Sequence, residues 1–129
     1  MDKIIKPKLA KIVIPVVIKS LNVLLREHWS FKGKLKKQYK LLVVNQMRLN
    51  KLRNSEIGEK WHVHIHSVRK RKLDYDNLVG GCKVLLDALC EEKFIWDDDE
   101  KHLVIHYSQS TEKSDGYTLI TREKALPNE

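Results

Sequence analysis

Asp74 and Asp76 flank Tyr75 where a β-rich segment gives way to a helical one. Two carboxylates at i and i+2 in a tight turn can face one point, beside the free N–H groups of a helix N-terminus. Hard cations such as Mg2+ take oxygen ligands, typically one or two carboxylates completed by water and substrate phosphate. Asp74 and Asp76 could therefore hold a metal; the plainer alternative is an N-cap with a solvated acidic neighbour. Lys83 follows two helical turns after Asp76, on nearly the same face. Helical side chains lean toward the N-terminus, so its ammonium can reach back toward these carboxylates. A snorkelling surface lysine is the alternative. Asp97-Asp98-Asp99 comes after the helix and a short loop. It could return beside Asp74 and Asp76, or form a solvated turn. Three converging carboxylates, a lysine and the adjacent run Arg69-Lys70-Arg71-Lys72 make the set that metal-assisted phosphodiester hydrolysis needs. In that chemistry the metal activates water, the lysine stabilises developing charge, and the basic arm neutralises flanking phosphates.

The charge of the chain is split in the same sense. The 129 residues carry 25 Lys+Arg and 17 Asp+Glu, a net charge of +8. Residues 1–73 hold 19 basic and 4 acidic side chains (+15), and residues 74–129 hold 6 and 13 (−7). A basic half joined to an acidic half fits a polyanionic partner together with a separate carboxylate cluster. A charged fraction of 33% excludes a membrane protein, and 42% hydrophobic residues argue against full disorder. The length fits a single domain over 1–129, with 123–129 a frayed tail. The run Ile12-Val13-Ile14-Pro15-Val16-Val17-Ile18 after the N-terminal lysines is too short for a bilayer span and lacks a signal-peptide cleavage site, so a soluble, cytoplasmic protein is expected. Cys82 and Cys90 on one helix would have Cα atoms about 12 Å apart, beyond the roughly 7 Å a disulfide spans. Both read as buried apolar residues.

The elements that must position these groups follow from periodicity. Residues 10–18 read as a buried strand, with Pro15 pointing to a sheet edge. Leu35, Tyr39, Leu42, Val43 and Met47 set a helix over 34–50 with lysines on its other face. Strict alternation sets a strand over 60–68, with Trp61, Val63 and Ile65 on one side and His62, His64 and His66 on the other. Asp76 reads as the N-cap of a helix running to Glu92, in which Gly80-Gly81 permits a close backbone approach, to a ligand or another element. Residues 102–108 and 116–122 read as two strands that could pair as a hairpin. The order β-α-β-α-β-β gives a compact α/β (α+β) domain with a mixed sheet and two main helices.

At Asp74-Tyr75-Asp76-Asn77-Leu78, Lys83, Asp87-Ala88-Leu89 and Trp96-Asp97-Asp98 the sequence resembles the RusA family of Holliday junction resolvases, phage-borne members in particular. The motif covers about a quarter of the chain. Where some members carry the lysine four residues after the second aspartate, this chain has Gly80, and Lys83 matches across Val79-Gly80-Gly81. The resemblance implies a RusA-like fold and a homodimeric crossover junction endodeoxyribonuclease with Mg2+ as cofactor and Mn2+ as substitute. It would act in DNA recombination and repair by making paired cuts in branched DNA. It carries the catalytic roles to Asp74, Asp76, Lys83 and Asp98, with Asp74, Asp76 and Asp98 as metal ligands and Asp97 or Asp99 as substitutes for the third. A two-fold dimer would match a four-way junction. Lys32, Lys34, Lys36, Lys37 and Lys40, with Arg69, Lys70, Arg71 and Lys72, would grip phosphates.

Two rival functions stand beside this one: a non-catalytic basic nucleic-acid-binding accessory protein, and a metal-dependent nuclease for flaps or other branched DNA. The His62/His64/His66 face could take zinc but reads more simply as a polar strand face. No phosphate-loop or dinucleotide fingerprint is present, so no nucleotide cofactor is expected. Trp29, Trp61 and Trp96 read as core or dimer-interface residues before base-stacking ones.

Overall fold

The computed structural model describes residues 9–126. The chain runs β1 (Ala10–Ile14), α1 (Leu21–Arg26), α2 (Trp29–Leu49), β2 (Trp61–Arg69), α3 (Tyr75–Gly81), α4 (Lys83–Glu91), β3 (Leu103–Thr111) and β4 (Tyr117–Lys124). Four strands form one mixed sheet in the order β1-β4-β2-β3. β4 is antiparallel to both β1 and β2, whereas β2 and β3 run parallel. β3 and β4 therefore do not pair as the expected hairpin: β2 lies between them. The parallel β2–β3 ladder is bridged by α3 and α4, which is how a parallel pair must be connected.

β1 is an edge strand, and Pro15 stands just past its end, where no ladder bond is lost. Its Val13 N–H donates to Gln46 Oε1 of α2 at 3.0 Å, so the helix covers part of that edge. Along α2, Leu35, Tyr39, Val43 and Met47 are buried at successive i+4 steps. α4 turns Val84, Leu85, Leu86, Ala88 and Leu89 inward, and these pack with α2 and with Ile12, Ile14, Ile65 and Ile120 of the sheet into one core. Among the described residues no helix is long and apolar enough to cross a membrane.

Several boundaries differ from the periodicity reading: the strand expected over 10–18 ends at Ile14, the helix expected over 34–50 begins at Trp29, and α1 is an added short helix before it. The helix expected to run unbroken to Glu92 divides at Cys82, whose ψ of −8° loosens the turn while its N–H still donates to Leu78 at 3.1 Å. The cap is Asp74, and Asp76 sits in the first turn. β4 runs through Lys124, into the segment read as tail; residues 127–129 lie outside the described residues. The lysines before the apolar run, up to Lys8, also lie outside them.

Gly33 stands inside α2, where an added Cβ would meet nothing within 4 Å. Glycine in a helix interior costs about 0.5–1 kcal/mol relative to alanine. Gly33→Ala is therefore expected to raise the melting temperature by about 3 °C, as read by thermal denaturation.

Candidate functional site

Asp74 is the cap residue just before α3, yet its side chain makes no capping hydrogen bond, so its carboxylate is not consumed by the helix. Asp74, Tyr75 and Asp76 are all exposed. The approach to this turn is fixed from the sheet. Gln109 of β3 accepts from the Leu73 N–H at 2.9 Å and donates to the Leu73 carbonyl at 2.7 Å. Two residues earlier on β3, Tyr107 meets Tyr75 edge-on, with ring centroids 6.5 Å apart. Burial, with nearby Cys82, Tyr75 and Asp98, pushes the Tyr107 hydroxyl up to about 12. Tyr107 thus packs against the Asp74–Asp76 turn.

In that segment, Lys83 at the start of α4 donates to Asp98 Oδ2 at 2.7 Å and lies 3.5 Å from Asp87, one turn along. The Lys83 bond holds the Asp98 carboxyl below its ordinary range, and the same bond raises Lys83. Lys83 is thus paired with Asp98 and Asp87, where the sequence reading has it reach back toward Asp74 and Asp76. The Asp98 N–H donates to Asp97 Oδ1 at 2.7 Å, and Asp99 takes the His102 N–H and Nδ1 at 3.0 and 2.6 Å.

Two groups bring three ligand atoms within 4.8 Å of one another: Cys90, Asp97 and Asp98, and Asp97, Asp99 and His102. Asp74 and Asp76 belong to neither group among the described residues. The Asp97/Asp99/His102 set offers two carboxylates and an imidazole, a donor set that can take a divalent cation. The Cys90 thiol fits less well: burial, with Asp98, Asp97 and Asp87 adding to it, pushes it up to about 12, and only a thiolate ligates. Of these ligands, His102 counts in the sequence only among the histidines that could take zinc, and Cys90 only as a buried apolar residue; neither is grouped there with the aspartates. The i, i+3 spacing of Asp99 and His102 was a readable signal; nothing in the sequence singled out Cys90.

The basic residues divide. Lys32, Lys34, Lys37, Lys70, Arg71 and Lys72 are exposed. Lys40 is half-buried, and Lys36 lies 3.1 Å from Glu91. Lys70 stands 3.7 Å from Asp115. Arg69 is a structural anchor: it donates to the carbonyls of Ile18 and Arg71, both at 2.8 Å. That bond lays the 69–72 loop beside the segment leading into α1.

On the open face of the sheet, His64 and His66 share Ser108 Oγ at 2.5 and 2.6 Å, and His66 also meets Ser110 at 2.9 Å. The expected zinc alternative finds no three-ligand group here among the described residues. Of the tryptophans, Trp61 is buried, Trp96 half-buried beneath Lys93, and Trp29 is 84% exposed.

No family model and no curated protein matches the chain. Among solved structures it is similar to the type III plasmid segregation protein TubZ, with a TM-score of 0.50 and 8% identity over 93% of this chain. GDP-form protofilaments of TubZ from Bacillus thuringiensis serovar israelensis give a TM-score of 0.48 and 10% identity over the same share. The chain spans 26% of the length of these solved chains. The TubZ likeness concerns the fold alone. It nevertheless corrects the RusA assignment: the backbone is a small mixed α/β arrangement similar to part of TubZ, and the RusA-like fold is withdrawn. The crossover junction endodeoxyribonuclease activity, Holliday junction resolution and roles in recombination and repair rested on that resemblance and are withdrawn with it. The physical reason is that the motif covers a quarter of the chain, while the fold likeness covers 93% of it. Acidic ligands near a lysine also occur without a nuclease around them, and the two compact ligand groups omit Asp74 and Asp76.

Proposed function

We propose that the protein binds nucleic acid through the exposed lysines of α2 and the 69–72 loop, and that its acidic cluster takes Mg2+ or Mn2+. The observation that carries this reading is the segregation of charge. Residues 1–73 hold a net +15, and exposed Lys32, Lys34, Lys37, Lys70, Arg71 and Lys72 all belong to that half. The acidic half gathers Asp97, Asp98 and Asp99 around Lys83 and His102. A hard cation there would use the carboxylate oxygens of Asp97 with Asp98 or Asp99, completed by water and phosphate. It would offset the repulsion between this cluster and a polyanion lying on the basic side.

Salt dependence tests the reading. With about four phosphates neutralised, log K should fall against log salt with a slope of roughly −3.6, a loss of about 100-fold between 50 and 200 mM. Replacing Lys70, Arg71 and Lys72 with alanine should make that slope shallower by about 2.7. A flat salt response in the unmodified protein would sink the proposal.

A further inference from the structure

Trp29 opens α2 and is 84% exposed, an unusual setting for the largest apolar side chain. One side of it is occupied by His28, whose ring centroid lies 5.3 Å away. His28 is held as the helix N-cap, its Nδ1 accepting from the Ser30 N–H at 3.2 Å. The rest of the ring stands in solvent, as its 84% exposure requires. The residue one turn after Trp29 is Gly33, which has no side chain to lay over the indole, and a Cβ there would meet nothing within 4 Å. Further along the same side of α2, at i+8 and i+11 from Trp29, come Lys37 and Lys40, and Lys32 lies one turn on at i+3. A flat aromatic face open on one side, followed by cations at helical spacing, has the makings of a single-strand platform: bases stack on the ring while the lysines track the backbone.

From this we infer that Trp29 stacks on unpaired bases, so that the nucleic acid bound by the basic face is single-stranded, or has an unpaired segment, where it crosses the start of α2. The inference rests on the nucleic-acid reading above and deepens it. Charge complementarity favours this occupant over an apolar protein surface: the indole is followed by lysines rather than by a continuous apolar patch. A duplex hides the faces of its bases and cannot use the platform.

The experiment titrates the full chain and its Trp29→Ala and Trp29→Phe variants with three probes, each at a low and a high salt concentration. These are a twenty-nucleotide oligothymidine, a duplex of equal length, and heparin, a polyanion without bases. Oligothymidine should quench tryptophan emission in the unmodified protein, and heparin should bind without that quenching. Trp29→Ala should weaken oligothymidine binding about tenfold or more, should change heparin and duplex binding less than twofold, and Trp29→Phe should recover most of the loss. The side chain is exposed, so its removal leaves the core intact, and unchanged heparin binding checks this directly. If oligothymidine binding is indifferent to Trp29→Ala while all three probes bind with a steep salt dependence, the stacking inference falls and the nucleic-acid reading stands. If no probe binds, both fall.

Discussion

Gly81→Ala is expected to destabilise the protein by about 3 kcal/mol, measured by urea or thermal unfolding. A Cβ at Gly81 would collide with the Lys19 carbonyl oxygen and would also lie 3.3 Å from Ile18 Cγ2. The obstruction is backbone, and it cannot easily withdraw. The Ile18 carbonyl is held by Arg69 at 2.8 Å, and the Val16 carbonyl by Thr118 Oγ1 at 2.8 Å. The neighbouring glycine supplies the control. A Cβ at Gly80 would meet Leu21 Cδ2 at 2.7 Å, which can rotate aside, and Leu21 Cβ at 3.0 Å, which must give by a few tenths of an ångström. Gly80→Ala is therefore expected to cost about 1 kcal/mol. Equal costs at the two positions would show that the approach of residues 18–19 to α3 is looser than described. The sequence left open whether Gly80-Gly81 admits a ligand or another element, and the answer is another element.

The second large effect concerns acid. Glu59 is almost wholly buried and meets Arg53 through two bonds, Oε1 at 2.8 Å and Oε2 at 2.6 Å. It also accepts from the Glu56 N–H at 2.8 Å. The Arg53 bonds hold the Glu59 carboxyl down at about 2. A carboxyl whose folded pKa is depressed contributes stability above its unfolded value, and that stability is lost as pH falls through the folded value. Stability should thus decline by about 3 kcal/mol between pH 4.5 and pH 2 on account of this group. Glu59→Gln should lose that part of the decline while being less stable at neutral pH. Denaturant midpoints measured across this window decide the matter, and an unchanged slope in Glu59→Gln would refute it. The network extends further. Arg122, buried in β4, donates to the Phe94 carbonyl at 2.6 Å and to the Arg53 carbonyl at 2.5 Å, and lies 4.5 Å from the Trp61 ring centroid. Protonating Glu59 therefore loosens the Arg53 side of a support shared by β2, β4 and the segment after α4.

Local elements were legible where a period repeats. The alternation of Trp61, Val63 and Ile65 against three histidines is the observed β2, and Leu35, Tyr39, Val43 and Met47 line the buried side of α2. Pairing was not legible. Residues 103–111 and 117–124 look like hairpin partners because they are close in sequence, but which strand lies beside which depends on faces, and β2 offers a partner on each of its edges. Gly80-Gly81 announces the close approach, but the break at Cys82 beside it interrupts an apolar period that continues through Leu85, Leu86 and Leu89. At the site, the pairing of Lys83 with Asp98 joins two residues the sequence had singled out. The motif around them led to the wrong family because short acidic motifs repeat across unrelated folds. Trp29 shows the limit from the other side: in a stretch without a clear period it reads as a core or dimer-interface residue, whereas it is the exposed first residue of α2.

The strand order also sets a sequence of events in time. β1 has one neighbour in the sheet, β4, and its register joins Ala10 to Arg122 and Ile14 to Thr118. More than a hundred residues therefore separate partners that must meet before β1 has any ladder at all. A nascent chain that has not yet delivered residues 117–124 can form α2 and the parallel β2–β3 pair, but it must leave β1 and one side of β2 unsatisfied. Closing a loop of that length is entropically costly, and contacts so distant in sequence slow folding. The sheet is completed by its last strand sliding between two that were made long before it. The β1 ladder is thereby tied to the synthesis of residues 117–124.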